Sequence, residues 1–208
     1  MIRNLKYTNF LALIFSLLLL SACSSKQINY YSLSSVDKNY KSYNKHASGT
    51  IAIGPISISQ ALKTRDILLQ RVNRVNISQF HKWDENLDHN IESTVINNLN
   101  DIYANKNSKF MAIPFKFRKF TSNDYTVAIN IQRFQNKFIK ANRIKNILSV
   151  QWSIINNQNK VIGNYSNKYI DFIDADLNNK NKTYLAVAKV MSINIAKFSN
   201  DIIRMLSP

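Results

Sequence analysis

Apolar residues fall into three rhythms along this 208-residue chain. The first is a continuous run from Phe10 to Leu20, broken only by Ser16. The second is a spacing of three or four, in Leu87, Ile91, Val95, Leu99 and Ile102 and again in Tyr184, Val187, Met191, Ile195, Phe198, Ile202 and Met205. That spacing lays one apolar stripe along a helix, so two amphipathic helices with one buried face each are predicted. Asp84, Glu85 and Asp88 stand at the start of the first, where carboxylates complement free backbone N–H groups and the helix dipole. Lys189, Lys197 and Arg204 fall outside the stripe of the second. The third rhythm is alternation, which predicts half-buried strands. Tyr125, Val127, Ile129 and Ile131 alternate with small or polar residues, and Leu148, Val150, Trp152 and Ile154 repeat the pattern. Asn156 to Asn159 then makes a polar turn, and Val161 to Phe172 reads as the returning strand.

Nearer the start, Ile28 to Ser35 is aromatic and β-prone, whereas residues 37–49 are polar and read as a loop or tether. Thr50 to Ile58 predicts a strand with a turn or bulge at Gly54-Pro55, and a proline there argues for a sheet edge or strand end. Asp66 to Val72 and Val75 to Ile77 predict a hairpin around Asn73-Arg74. The order is strands, helix, meander, helix. Strands that do not alternate strictly with helices argue for an α+β fold. The expected architecture is a mixed or antiparallel sheet with two amphipathic helices packed on one face, in a single domain. No internal repeat of solenoid length is visible.

The run from Phe10 to Leu20 is about half the roughly 20 apolar residues a spanning helix needs. With Arg3 and Lys6 before it, it fits the core of a secretory signal, which takes no part in the fold. Leu20-Ser21-Ala22-Cys23 resembles the lipobox of bacterial lipoproteins. That resemblance implies cleavage between Ala22 and Cys23, a diacylglycerol on the Cys23 thiol and an acyl chain on the new amine. Residues 1–22 are then the leader and residues 23–208 the mature periplasmic domain. Several acyl chains anchor stably where one does not, at about 0.8 kcal/mol per buried CH₂. Ser24 and Ser25 lack the aspartate that retains members of the class in the inner membrane, so outer-membrane delivery is expected.

Charge and composition change meaning in that light. The formal charge of +16 invites a nucleic-acid reading, but the leader removes Arg3 and Lys6, leaving +14, and a periplasmic domain meets no nucleic acid. A solvated basic surface in a chain rich in Asn, Lys and Ile is the leading account of the charge. Attraction to anionic lipid head groups is the second. One cysteine excludes an internal disulfide and a multi-cysteine zinc site, and three glycines leave no room for a phosphate-cradling loop. Glu85 and His89 have the four-residue spacing of a metal pair, but no second histidine completes a known spacing. Asp174-Ala175-Asp176-Leu177-Asn178 opens like a calcium loop, then has Asn179 in place of glycine and Leu185 in place of the bidentate glutamate. Trp83 and Trp152 read as core or strand-face aromatics, with partner contact by Trp83 the sharper alternative. No active site is predicted, and no metal.

In order along the chain, Tyr30-Tyr31-Ser32-Leu33, Ile51 to Ile58 with Gly54-Pro55, Arg65 to Arg71, and Phe80 to Leu87 with Trp83 precede Trp152 and a C-terminal amphipathic helix. This series resembles the PqiC-like ABC-type transport auxiliary lipoproteins over essentially the whole mature chain. Asp66, Asn86 and Phe115 stand where that family often has Pro, Pro and Trp. The resemblance implies a non-enzymatic outer-membrane lipoprotein facing the periplasm. Its expected partner is an MCE-domain transport protein of the inner membrane, with which it moves lipid or other apolar cargo. No cofactor is implied beyond the lipid on Cys23, and homo-oligomerisation is left open. Tyr31, Gly54, Pro55, Arg65, Trp83, Leu87 and Trp152 are then family-motif positions and candidate partner contacts. The alternatives are a structural or assembly lipoprotein of the envelope and, least favoured, a periplasmic enzyme.

Overall fold

The structure is a computed structural model that describes residues 27–35, 48–104, 109–117 and 124–206. The leader, Ala22, Cys23, His46 and residues 37–47 of the expected tether lie outside the described residues. Eight strands form one mixed sheet: β1 (Asn29–Tyr31), β2 (Ser48–Ile58), β3 (Asp66–Arg71), β4 (Arg74–Trp83), β5 (Lys109–Pro114), β6 (Tyr125–Phe138), β7 (Arg143–Asn156) and β8 (Val161–Asp174). Two helices, α1 (Leu87–Ala104) and α2 (Lys180–Leu206), pack on one face of it. The α+β architecture expected from the sequence is the observed one.

Strand β6 is the spine, and the sheet forks along it. On one side it pairs antiparallel with β7, which pairs antiparallel with β8. On the other, its first half pairs parallel with β2 and its last residues pair parallel with β3. Beyond β2 lies β5, and beyond β3 lie β4 and then β1. The alternation of β6 and β7 decides which side is buried. Val127, Ile129, Ile131, Leu148, Val150 and Ile154 all face the helices and are nearly inaccessible. Burying each such side chain stabilises the fold by about 1.5–3 kcal/mol relative to exposure. Opposite them, α1 buries Leu87, Ile91, Val95, Leu99 and Ile102, and α2 buries Val187, Met191, Ile195, Phe198 and Ile202. The stripe of α2 stops one turn earlier than the spacing predicts: Met205 is exposed, and Leu206 packs on the core instead.

A ladder of side-chain contacts links buried amides inside this core, with Asn194 Oδ1 left without a hydrogen-bond partner. Asn146 Nδ2 donates to Asn136 Oδ1 at 2.7 Å, Asn194 of α2 donates to Asn146 Oδ1, and Asn136 Nδ2 meets the Met191 sulfur at 3.3 Å. These links tie α2 to β6 and β7 at defined positions, because a buried amide without partners costs about 1–3 kcal/mol.

The sheet-edge reading holds at Pro55 itself and not along the whole of β2. Over Ile51–Ile53 the strand is interior, with β5 on one side and β6 on the other. The bulge expected at Gly54-Pro55 is present, as a register shift between Ile53 and Ile56. The proline is tolerated because β5 ends its pairing opposite Ile53, so beyond the bulge only β6 remains as a partner. The hairpin turn also moves by one residue, to Val72-Asn73, with Arg71 opposite Arg74.

Candidate functional site

Four of the motif positions converge where β1, β3, β4 and α1 meet. Tyr31 sits opposite Trp83 in the parallel β1–β4 pair, and the Asp84 N–H donates to the Tyr31 carbonyl at 3.0 Å. The Trp83 N–H donates to the Arg65 carbonyl at 2.6 Å. In return, Arg65 Nε donates to the Trp83 carbonyl at 3.2 Å and its terminal nitrogen donates to the Asp84 carbonyl. The same guanidinium lies 5.4 Å from the Tyr30 ring centroid. Beneath this clamp the side chains of Trp83 and Leu87 are buried. An exposed arginine therefore holds the end of β4 and the entry to α1 by spending its donors on backbone carbonyls.

Asp84 completes the junction in a way the helix-start expectation did not contain. Its carboxylate accepts from the Ser32 hydroxyl, from Asn90 Nδ2 at 2.8 Å and from the Glu85 N–H at 3.0 Å. Asn90 Oδ1 in turn accepts from the Leu33 N–H at 3.2 Å. Burial alone would raise the Asp84 pKa, but the hydrogen bonds from Ser32, Asn90 and Glu85 outweigh it and hold the group below the ordinary carboxylate value. Asp88 remains in the first turn of α1, as expected of a helix start.

A second cluster adjoins the first. In β4 the register against β3 shifts between Asp66 and Leu68, and the extra residues turn His81 inward. Its ring stacks on Tyr184 of α2, with centroids 4.0 Å apart and planes at 11°, and Nδ1 lies 3.0 Å from the Tyr31 hydroxyl. Burial, then the neighbouring Tyr184, raises the Tyr31 pKa. His81 and Tyr184 line one side of a cavity of about 480 Å³, whose other lining includes Leu69, Phe138 and Leu177. No local pattern in the sequence marks His81 as inward, because its turn depends on a bulge against the opposite strand. His89, by contrast, is exposed. Among the described residues no group of three or more His, Cys, Asp and Glu is placed to hold a metal ion.

The remaining motif positions lie elsewhere. Gly54 has φ +117°, and a Cβ there would sit 3.1 Å from the Phe115 Cβ, so glycine is required by both backbone and space. Pro55 edges a shallow trough of about 640 Å³ on the helix-free face, floored by Asn130, Gln151, Ser153, Asn164 and Ser166. Trp152 contributes its strand to that trough, but its ring is buried, stacked on Tyr165 at 5.5 Å and edge-on to Phe198 at 5.2 Å. The structure thus joins Tyr31, Arg65, Trp83 and Leu87, and places Gly54, Pro55 and Trp152 apart from them.

A family model described as ABC-type transport auxiliary lipoprotein component matches residues 31–203. The chain belongs to that family. The match opens at Tyr31 and spans every element from the Arg65 clamp to most of α2. Among solved structures, a Xanthomonas campestris protein assigned to the DUF330 family matches with a TM-score of 0.66 and 10% identity, covering 86% of this chain and 94% of that one. An uncharacterized protein matches with a TM-score of 0.62 and 14% identity, covering 88% of this chain and 100% of that one. At such identities these two likenesses establish the fold. No curated protein matches. As a family member the chain is an auxiliary lipoprotein component of ABC-type transport, a family not defined by catalysis.

Proposed function

We propose that this protein is a lipid-anchored, non-catalytic component of an MCE-type intermembrane transport system. It faces the periplasm from the outer membrane and holds the transport tunnel of an inner-membrane MCE-domain protein there, while lipid or other apolar cargo passes. The observation that carries this reading is the family match over residues 31–203, directly behind the Leu20-Ser21-Ala22-Cys23 lipobox. The acyl chains on Cys23 restrict the domain to the membrane surface, which raises the effective concentration of its docking face for a partner spanning the periplasm. The junction chemistry supports a scaffold: Arg65 is spent on carbonyls and His81 on stacking and the Tyr31 hydroxyl. A photo-crosslinking residue placed in turn at Pro55, Ser57 and Asn164, which are exposed positions on the helix-free face, tests the role in cells. Capture of an MCE-domain protein is the expected result. Recovery of outer-membrane assembly proteins alone would overturn it.

A further inference from the structure

One end of the molecule combines exposed apolar side chains with unbalanced positive charge, and the N-terminal end of β1 points toward that same end. The register places it. Arg71 and Arg74 close the β3–β4 hairpin, Phe138 lies beside Arg71, and Phe138 pairs with Ile144 across the β6–β7 hairpin. Ile144 pairs with Ile173 near the end of β8, so both hairpin tips and the β8–α2 connection lie side by side. Strand β1 runs parallel to β4 with Asn29 opposite His81 and Tyr31 opposite Trp83, so the chain before Asn29 comes from the hairpin-tip side. The six residues from Cys23 to Asn29 span at most about 20 Å.

All seven residues from Arg71 to Ile77 are exposed, and Val72, Val75 and Ile77 are 71%, 56% and 63% accessible. Ile139 on the second tip, Phe172 at the end of β8 and Leu177 beyond it are also exposed. Arg71, Arg74, Lys140 and Arg143 surround them, and neither hairpin contains an acidic residue between Ile67 and Trp83 or between Tyr125 and Ile170. Among the described residues, the acidic groups at this end are Asp174, opposite Arg143, and Asp176, whose carboxylate accepts from the Asn178 and Asn179 N–H groups. Arg71 joins the two tips into one surface: its guanidinium lies 4.4 Å from the Phe138 ring centroid and donates to the Ala141 carbonyl at 3.3 Å.

We propose that this end docks on the anionic phospholipid surface of the membrane that carries the anchor. Val72, Val75 and Ile139 enter the head-group region while Arg74, Lys140 and Arg143 meet lipid phosphates. Neutral apolar insertion and basic residues act together in such contacts, each Lys or Arg near an anionic surface contributing on the order of 1 kcal/mol. The consequence is orientation: the acyl chains fix the distance, and the hairpin tips fix which way the domain stands on the membrane.

The proposal rests on the Cys23 anchor, and the test separates the two. The full lipidated chain is reconstituted into phosphatidylethanolamine–phosphatidylglycerol vesicles after Val75→Cys, Ile139→Cys or, as a control at the far β7–β8 turn, Gln158→Cys. An acylated Cys23 cannot react with a thiol-directed fluorophore, so the introduced cysteine alone is labelled. Labelling at Cys23 itself, or a mass without acyl chains, sinks the anchor reading and leaves the docking reading to be judged by quenching. Head-group nitroxide lipids are expected to quench the labels at positions 75 and 139 strongly and the label at 158 weakly. Adding Arg74→Gln, Lys140→Gln or Arg143→Gln is expected to lower the ratio of docked to undocked tip by up to about fivefold each. Equal quenching at positions 75 and 158 overturns the proposal. So does quenching at 75 and 139 that ignores both the charge substitutions and added salt.

Discussion

At the scale of single residues, side chains that resemble chemistry turn out to hold backbone. Arg65 →Ala removes two charge-assisted bonds to the Trp83 and Asp84 carbonyls. The expected loss is about 1–2 kcal/mol of unfolding free energy in urea. Arg65→Lys is expected not to restore it, since one ammonium lacks the fork that reaches both carbonyls. Tyr169 gives a second case. Its hydroxyl donates to Asp201 Oδ2 at 2.6 Å, while Asn167 and Arg204 bind the same carboxylate. Burial first, then the bond to Asp201, raises the Tyr169 pKa far above its ordinary value. A pKa raised on folding stabilises fully below the ordinary tyrosine value of about 10 and is lost as pH climbs toward the folded value. Tyr169→Phe is therefore expected to cost about 1.5–3 kcal/mol near neutral pH and to flatten the alkaline loss of stability. Denaturation curves at pH 7 and above pH about 10 check both.

At the scale of elements, two backbone positions govern strand ends. Gly54→Ala puts a Cβ against Phe115 at φ +117° and is expected to destabilise the domain by about 1–3 kcal/mol, measurable as a lower thermal midpoint. Val72 has φ +53° at the β3–β4 turn, a left-handed conformation that a β-branched residue resists. Val72→Asn is expected to raise stability by about 1 kcal/mol in solution, because asparagine accepts that conformation. The helices and the β6–β7–β8 meander were legible in the sequence because their periodicity is local and each buries one continuous face. Strand β5 was not, since Lys109–Pro114 is short and its pairing with β2 joins residues some sixty positions apart. The same distance explains Pro55: sequence marks proline as an edge signal, while only the paired partner shows where the edge begins. His81 faces inward because of a bulge, and a bulge is defined by the strand opposite rather than by its own residues.

At the scale of the whole molecule, two surfaces differ in charge. The helix-free face near Pro55 is floored by Asn, Gln and Ser, a neutral polar trough suited to a protein partner. The hairpin end, toward which the N-terminal end of β1 points, gathers Arg71, Arg74, Lys140 and Arg143 with exposed valine and isoleucine. Four of the 28 Lys and Arg gather there, and under our proposal a membrane takes the role that composition alone would assign to nucleic acid. The motif cluster around Arg65 was legible as a series of positions, but its role as a clamp needed the carbonyls it meets. Both the partner proposed for the periplasm and the surface proposed for the lipid depend on Cys23 carrying acyl chains. The most direct measurement is therefore metabolic acyl labelling with membrane fractionation of the natural chain beside Cys23→Ala. The natural chain is expected to take the label and sediment with the outer membrane, and Cys23→Ala to lose the label and to accumulate as precursor or leave that fraction. A Cys23→Ala chain that keeps both label and fraction would contradict the account.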